Sequence, residues 1–100
     1  MSEIPAYTLS DGFVVPAIAL GTYNLRGFGG VSSMLSGIEA GYRMLDSAFN
    51  YENEGAVGQA VRRSGLPREE LRLVSKLPGR HQRYEEALET VEESLMRAGL

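Results

Sequence analysis

The sequence predicts an α/β fold, a small β-hairpin followed by three βα units whose strands lie side by side in a parallel sheet. Three observations predict it. Ala17-Ile18-Ala19-Leu20-Gly21 is a continuous apolar run without alternation, as suits a strand buried on both faces. Short strand-like runs then alternate with apolar stripes at helical spacing. Glycine or proline punctuates nearly every change of period, at Gly41, Gly65-Leu66-Pro67, Pro78-Gly79 and Gly99.

Taken in order, Tyr7-Thr8-Leu9 and Phe13-Val14-Val15 flank Ser10-Asp11-Gly12, a tight hairpin turn, and Pro16 ends the second arm. The hairpin occupies 1–16 and the βα units 17–100 of a single domain. Thr22-Tyr23-Asn24 is the exit from the first parallel strand, and Arg26 to Gly30 reads as a glycine-rich loop. Val31, Met34, Leu35 and Ile38 form the stripe of a first helix, weakened by Gly37 and closed by Gly41. A second strand runs from Tyr42 to Asp46. The next helix spans roughly Asn53 to Ser64, with Glu54 in its first turn and Arg62-Arg63 in its last, both complementary to the helix dipole. A third strand covers Leu71 to Ser75. Tyr84, Leu88, Val91 and Leu95 are the expected core stripe of the last helix, opposite a glutamate-rich wet face. Standing alone, three such units would leave a sheet edge and an apolar helix face open.

Composition narrows the function. One hundred residues hold a small core, and a net charge of −3 argues against a nucleic-acid or anionic-membrane surface. The absence of cysteine removes disulfides and thiolate metal sites, and no His/Asp/Glu cluster has metal-ligand spacing. Met1-Ser2-Glu3 opens with an acid and no long apolar run follows, so neither a signal peptide nor a membrane span is expected, and the cytoplasm is the expected location.

Chemistry concentrates at the strand ends, where βα folds gather functional groups. Asp46 ends the second strand, Tyr51 lies in the loop after it, and Lys76 ends the third. Lys76 is the one lysine beside nine arginines. A free tyrosine has a pKa of about 10. An adjacent ammonium would stabilise its phenolate, and a carboxylate could hold that ammonium in place. Such a phenol could give a proton to a carbonyl oxygen while a cofactor delivers hydride. Each residue also has a plainer reading: Asp46 as a helix cap, Tyr51 as rim packing, Lys76 as a solvated charge. Gly27-Phe28-Gly29-Gly30 before a helix suggests a phosphate cradle, but its spacing matches no nucleotide fingerprint and a loop is the better reading. His81, the one histidine, reads as a polar loop residue.

The stretch Leu45-Asp46-Ser47-Ala48-Phe49-Asn50-Tyr51-Glu52-Asn53-Glu54, with Gly58 and Ala60-Val61 after it, resembles the first signature of the aldo-keto reductases. The Gly21-Thr22-Tyr23 exit, Ser75-Lys76-Leu77, and the Asp11-Gly12 hairpin as a barrel plug resemble the same family in order and spacing. The resemblance implies a TIM (β/α)8 barrel, of which this chain holds the hairpin and about three βα units. It implies reversible, metal-free reduction of aldehydes and ketones with NADPH, NADH being the other cofactor open to it. Tyr51 matches the family's general acid, Lys76 the residue that tunes it, and Asp46 the carboxylate paired with that lysine. Gly21, Thr22, Tyr23 and Asp46 match positions near the nicotinamide, and Tyr23 and Tyr51 match substrate-pocket positions. The expected partner is a small carbonyl compound, with no nucleic acid or membrane, and the parent chain is expected to be monomeric.

The resemblance also implies a catalytic histidine on a fourth strand, beyond Leu100, and a cofactor-phosphate site in the other half of the barrel. The 100 residues alone are therefore expected to be inactive. Leu77-Pro78 stands where many relatives carry an aromatic, which leaves substrate choice open. Two other readings remain: a non-catalytic nucleotide-binding or structural subunit on the same scaffold, and a short protein that completes its sheet by association.

Overall fold

Two separate ladders account for the β-structure. The computed structural model describes residues 4–100. Met1-Ser2-Glu3, where the acidic start and the first residues of the 1–16 segment fall, lie outside the described residues. Strands β1 (Ala6–Thr8) and β2 (Val14–Pro16) form an antiparallel hairpin, with Tyr7 opposite Val15. Its turn is built as read. Asp11 accepts the Phe13 amide through Oδ1 at 2.9 Å, and Gly12 takes φ +88°, where a Cβ would be strained.

The second ladder is a parallel sheet in the order β3 (Leu20–Gly21), β4 (Met44–Asp46), β5 (Arg72–Val74). Sequential strands are neighbours, so residues at their carboxyl ends share a rim. Gly21 stands opposite Asp46, and Asp46 opposite Val74. The first strand is shorter than the 17–21 run predicts. Ala17 instead donates its amide to Pro5 O at 2.7 Å, extending the hairpin, and Ile18 is exposed.

Helices α1 (Gly27–Ala40), α2 (Glu54–Arg63) and α3 (Tyr84–Ala98) follow the strands. The core joins α1 and α2 to the sheet through Val31, Met34, Ile38, Leu45, Val57, Ala60, Val61 and Leu71. Gly41 closes α1 by donating to Ile38 O, and Tyr42 donates back to Gly37 O.

Two expectations are corrected. Gly27 to Gly30 is the first turn of α1 rather than a loop. A side chain at Gly30 would collide with the Leu25 backbone, so glycine here serves close packing. The second correction concerns α3. Tyr84, Leu88, Val91 and Leu95 are exposed, and the buried positions of α3 are Thr90 and Ala98. Ala98 lets α3 lie close against α2, where a Cβ on Gly58 would strike the Ala98 backbone, and Thr90 faces the His81 loop. Ala98 meets α2 directly, while Val91 and Leu95 line a cleft with Val57 and Leu73 that stays open to solvent. No helix among the described residues is long and apolar enough to cross a membrane.

Candidate active site

The rim where β3, β4 and β5 end holds the sequence-predicted residues together. Backbone pairing continues past the strands: Ser47 donates to Val74 O at 2.7 Å and Phe49 to Lys76 O at 3.2 Å. That extension brings Lys76 beside the end of β4. Its Nζ donates to Asp46 Oδ1 and to the Ser47 carbonyl, each at 2.7 Å. The hydrogen bond with Asp46 raises the Lys76 pKa above its ordinary 10.5. Partial burial opposes the rise, and the Asp46 charge and the Tyr51 phenol add to it. Lys76 is therefore an ammonium at neutral pH.

Tyr51 closes a one-turn 3-10 helix, Phe49–Tyr51, that follows β4 directly. The next residue, Glu52, takes a left-handed conformation (φ 55°) and turns the chain into α2. Lys76 Nζ lies 5.3 Å from the centre of the Tyr51 ring. Tyr23 meets Tyr51 edge-on, with ring centres 5.2 Å apart, so the phenol stands between a cation and an aromatic wall. Asp46 and Lys76 keep 42% and 47% of their side-chain surface open to solvent, so the group faces outward.

The Gly21-Thr22-Tyr23 exit adjoins this rim, but its three residues are placed differently. Gly21 is exposed, and the space where its Cβ would stand is empty. Tyr23 is exposed. Thr22 is fully buried, and its amide and hydroxyl both donate to the Asp46 carbonyl, at 3.0 and 3.1 Å. Its side chain holds the Asp46 backbone in place.

Two residues that the sequence does not mark as part of the rim organise it. Asn53 is buried and donates to Thr22 O at 2.6 Å and to Leu25 O at 3.1 Å, while its Oδ1 accepts the Ser47 hydroxyl at 2.8 Å. One amide thus ties the exit of β3 to the end of β4. Glu54, read as a dipole partner, is buried: Oε2 accepts the Ser75 hydroxyl at 2.5 Å and Oε1 lies 3.5 Å from Arg97 Nη1. The available signal was the Asn-Glu pair inside the quoted signature, but neighbours in sequence do not reveal what a side chain reaches across the fold. His81 packs edge-on against Phe49 at 5.5 Å and lies 2.9 Å from Thr90 Oγ1, which joins its loop to α3.

Residues 32–100 match the model of the Aldo/keto reductase family. Over all 100 residues the chain is 50% identical to 2,5-diketo-D-gluconic acid reductase B of Corynebacterium sp. and spans 36% of that protein's length. Among solved structures, it superposes on an aldo/keto reductase from Brucella melitensis with a TM-score of 0.91 at 34% identity, covering 97% of this chain and 38% of the other. A Bombyx mori aldo-keto reductase in complex with NADP gives 0.86 at 30% identity, with coverages of 100% and 36%. The chain spans little more than a third of the length of these relatives. The family model's match over residues 32–100, together with sequence and fold similarity across nearly the whole chain, makes it a member of the aldo/keto reductase family.

Proposed function

We propose that these 100 residues are the hairpin plug and first three βα units of a TIM barrel, acting within a chain of the relatives' length. Its proposed reaction is the reduction of aldehydes and ketones to alcohols with NADPH, in the cytoplasm. The observation that carries the reading is the Lys76 ammonium, held by Asp46 and the Ser47 carbonyl, with the Tyr51 ring 5.3 Å away.

The rim suits a nicotinamide. The open space beside Gly21 would admit a flat ring, and the exposed Asp46 carboxylate is an acceptor for a carboxamide N–H. Gly21, Tyr23 and Asp46 would hold that end of the cofactor, with Thr22 fixing the Asp46 backbone from behind. When bound, the dinucleotide supplies the hydride that reduces the carbonyl carbon. Tyr51 gives its phenolic proton to the carbonyl oxygen. Lys76 then faces the phenolate charge, which costs less beside a fixed cation than in an apolar pocket. Asp46 keeps Lys76 charged and aimed. Tyr23 and Tyr51 together form one wall for the substrate. The NADP complex of the Bombyx mori relative supports the cofactor, and the reductase name of the Corynebacterium relative supports the direction of the chemistry.

The test is Tyr51→Phe in the full-length protein. It should lower kcat for aldehyde reduction roughly 100- to 10,000-fold, the usual worth of a positioned general acid. NADPH affinity, read by fluorescence titration, should stay within about threefold, since the phenol hydroxyl is assigned to proton delivery rather than to cofactor binding. Unchanged turnover would remove Tyr51 from its role.

A further inference from the structure

Building on the role proposed for Tyr51 and Lys76, we infer that Arg97 of α3 is a positioning residue that holds both at once. The Tyr51 turn begins at Phe49, which is buried under the Arg97 guanidinium. That group lies 4.0 Å above the Phe49 ring and donates through Nη1 to Phe49 O at 3.3 Å. The same Nη1 stands 3.5 Å from Glu54 Oε1, and Nη2 pairs with Glu93. Glu54 in turn accepts the hydroxyl of Ser75, the residue before Lys76. One planar cation therefore reaches Tyr51 through Phe49, and Lys76 through Glu54 and Ser75.

The chemistry of Glu54 explains why a cation is needed there. Its carboxylate is 5% exposed, and Oε1 accepts no hydrogen bond among the described residues, with Arg97 Nη1 3.5 Å away as its ion-pair partner. A carboxylate desolvated to this degree is costly unless a cation faces it. Arg97 supplies that charge and uses the rest of its fork on Phe49 and Glu93. Lysine, with a point charge on a flexible stem, could meet Glu54 but could not also lie flat on the ring. Without Arg97 the buried charge would be uncompensated, and both the Phe49 turn and Ser75 would be free to shift. A displacement near 1 Å of a proton donor costs rate rather than substrate affinity.

The test compares full-length Arg97→Met and Arg97→Lys with Tyr51→Phe in steady-state reduction of an aromatic aldehyde by NADPH, in H2O and D2O. Arg97→Met should lower kcat roughly 10- to 100-fold with KM within about threefold, as expected for misplaced catalytic groups. Its solvent isotope effect should exceed that of the parent, because proton delivery becomes rate-limiting. Arg97→Lys should recover part of kcat by restoring the charge beside Glu54. Parent kcat and isotope effect in folded Arg97→Met would overturn the inference. So would a loss of activity that only tracks the folded fraction in thermal melts. If Arg97→Met does not fold, Phe49→Leu decides, since it removes the ring face but keeps the burial. A lowered kcat at unchanged KM supports the inference, and parent kcat rejects it. Full activity in Tyr51→Phe would instead show that the reading of the site itself is wrong.

Discussion

Helices α2 and α3 are both amphipathic, both follow a strand of the same sheet, and both carry valine in an apolar stripe. Val57 on α2 is 3% exposed and Val91 on α3 is 49% exposed. The difference lies in what surrounds each helix. α2 sits between α1 and α3 over the sheet, whereas α3 meets α2 at Ala98 and lies at the end of the row. Amphipathic periodicity tells which residues can be buried together, and the neighbours present decide which are.

Four substitutions, in three experiments, test the contrast. The largest effect is expected at Gly58, where α2 and α3 touch. Gly58→Ala drives a methyl into the Ala98 backbone, which cannot yield as a flexible side chain would. It should destabilise the fold by about 3 kcal/mol, at the upper end for an overpacked core, as measured by urea unfolding. A stability equal to the parent's would mean that the two helices are not in contact there.

A matched pair of truncations comes next. Val57→Ala should cost about 2 kcal/mol by removing buried methyls from the core, and Val91→Ala no more than about 0.5 kcal/mol in the same 100 residues. Equal costs would erase the distinction between the helices. In a chain of the relatives' length, the barrel proposal expects the Val91→Ala cost to rise toward that of Val57→Ala, because further strands would cover α3.

The smallest effect concerns pH. Lys76 has a raised folded-state pKa, so its pair with Asp46 stabilises the fold fully below the ordinary 10.5 and ceases to as pH rises through the raised value. Both side chains are nearly half exposed, which holds the contribution to about 1 kcal/mol or less. The stability gap between parent and Lys76→Met should therefore shrink as urea melts are carried from neutral pH past 10.5. A gap that widened with pH would contradict the assignment.

Much of the fold could be read directly. The Asp11-Gly12 turn, the three strands and the glycine stops at Gly41 and Gly65 are local features, governed by backbone sterics and spacing. Gly27 to Gly30 misled because low helix propensity was outweighed by the close approach of Gly30 to Leu25. The inward face of α3 was hidden because nothing in a stripe of large residues says that the helix will meet α2 at Ala98. At the site, Asp46, Tyr51 and Lys76 were found from their positions at strand ends, and the structure brings them together. Asn53 and Arg97 could not be found in that way. Asn53 reaches back to Thr22 and Leu25, and Arg97 reaches Phe49 from two helices further along the chain. Such long-range contacts depend on packing and leave no local pattern.

Proton delivery by Tyr51 is measured most directly in a single turnover. NADPH oxidation by Tyr51→Phe, mixed with saturating aldehyde in a stopped-flow instrument, separates the chemical step from binding and release. In Tyr51→Phe this step should slow by at least about 100-fold, while cofactor binding proceeds as in the parent. A burst of oxidation at the parent's rate would show that the proton comes from elsewhere, and that the Lys76–Asp46 pair beside Tyr51 is structural.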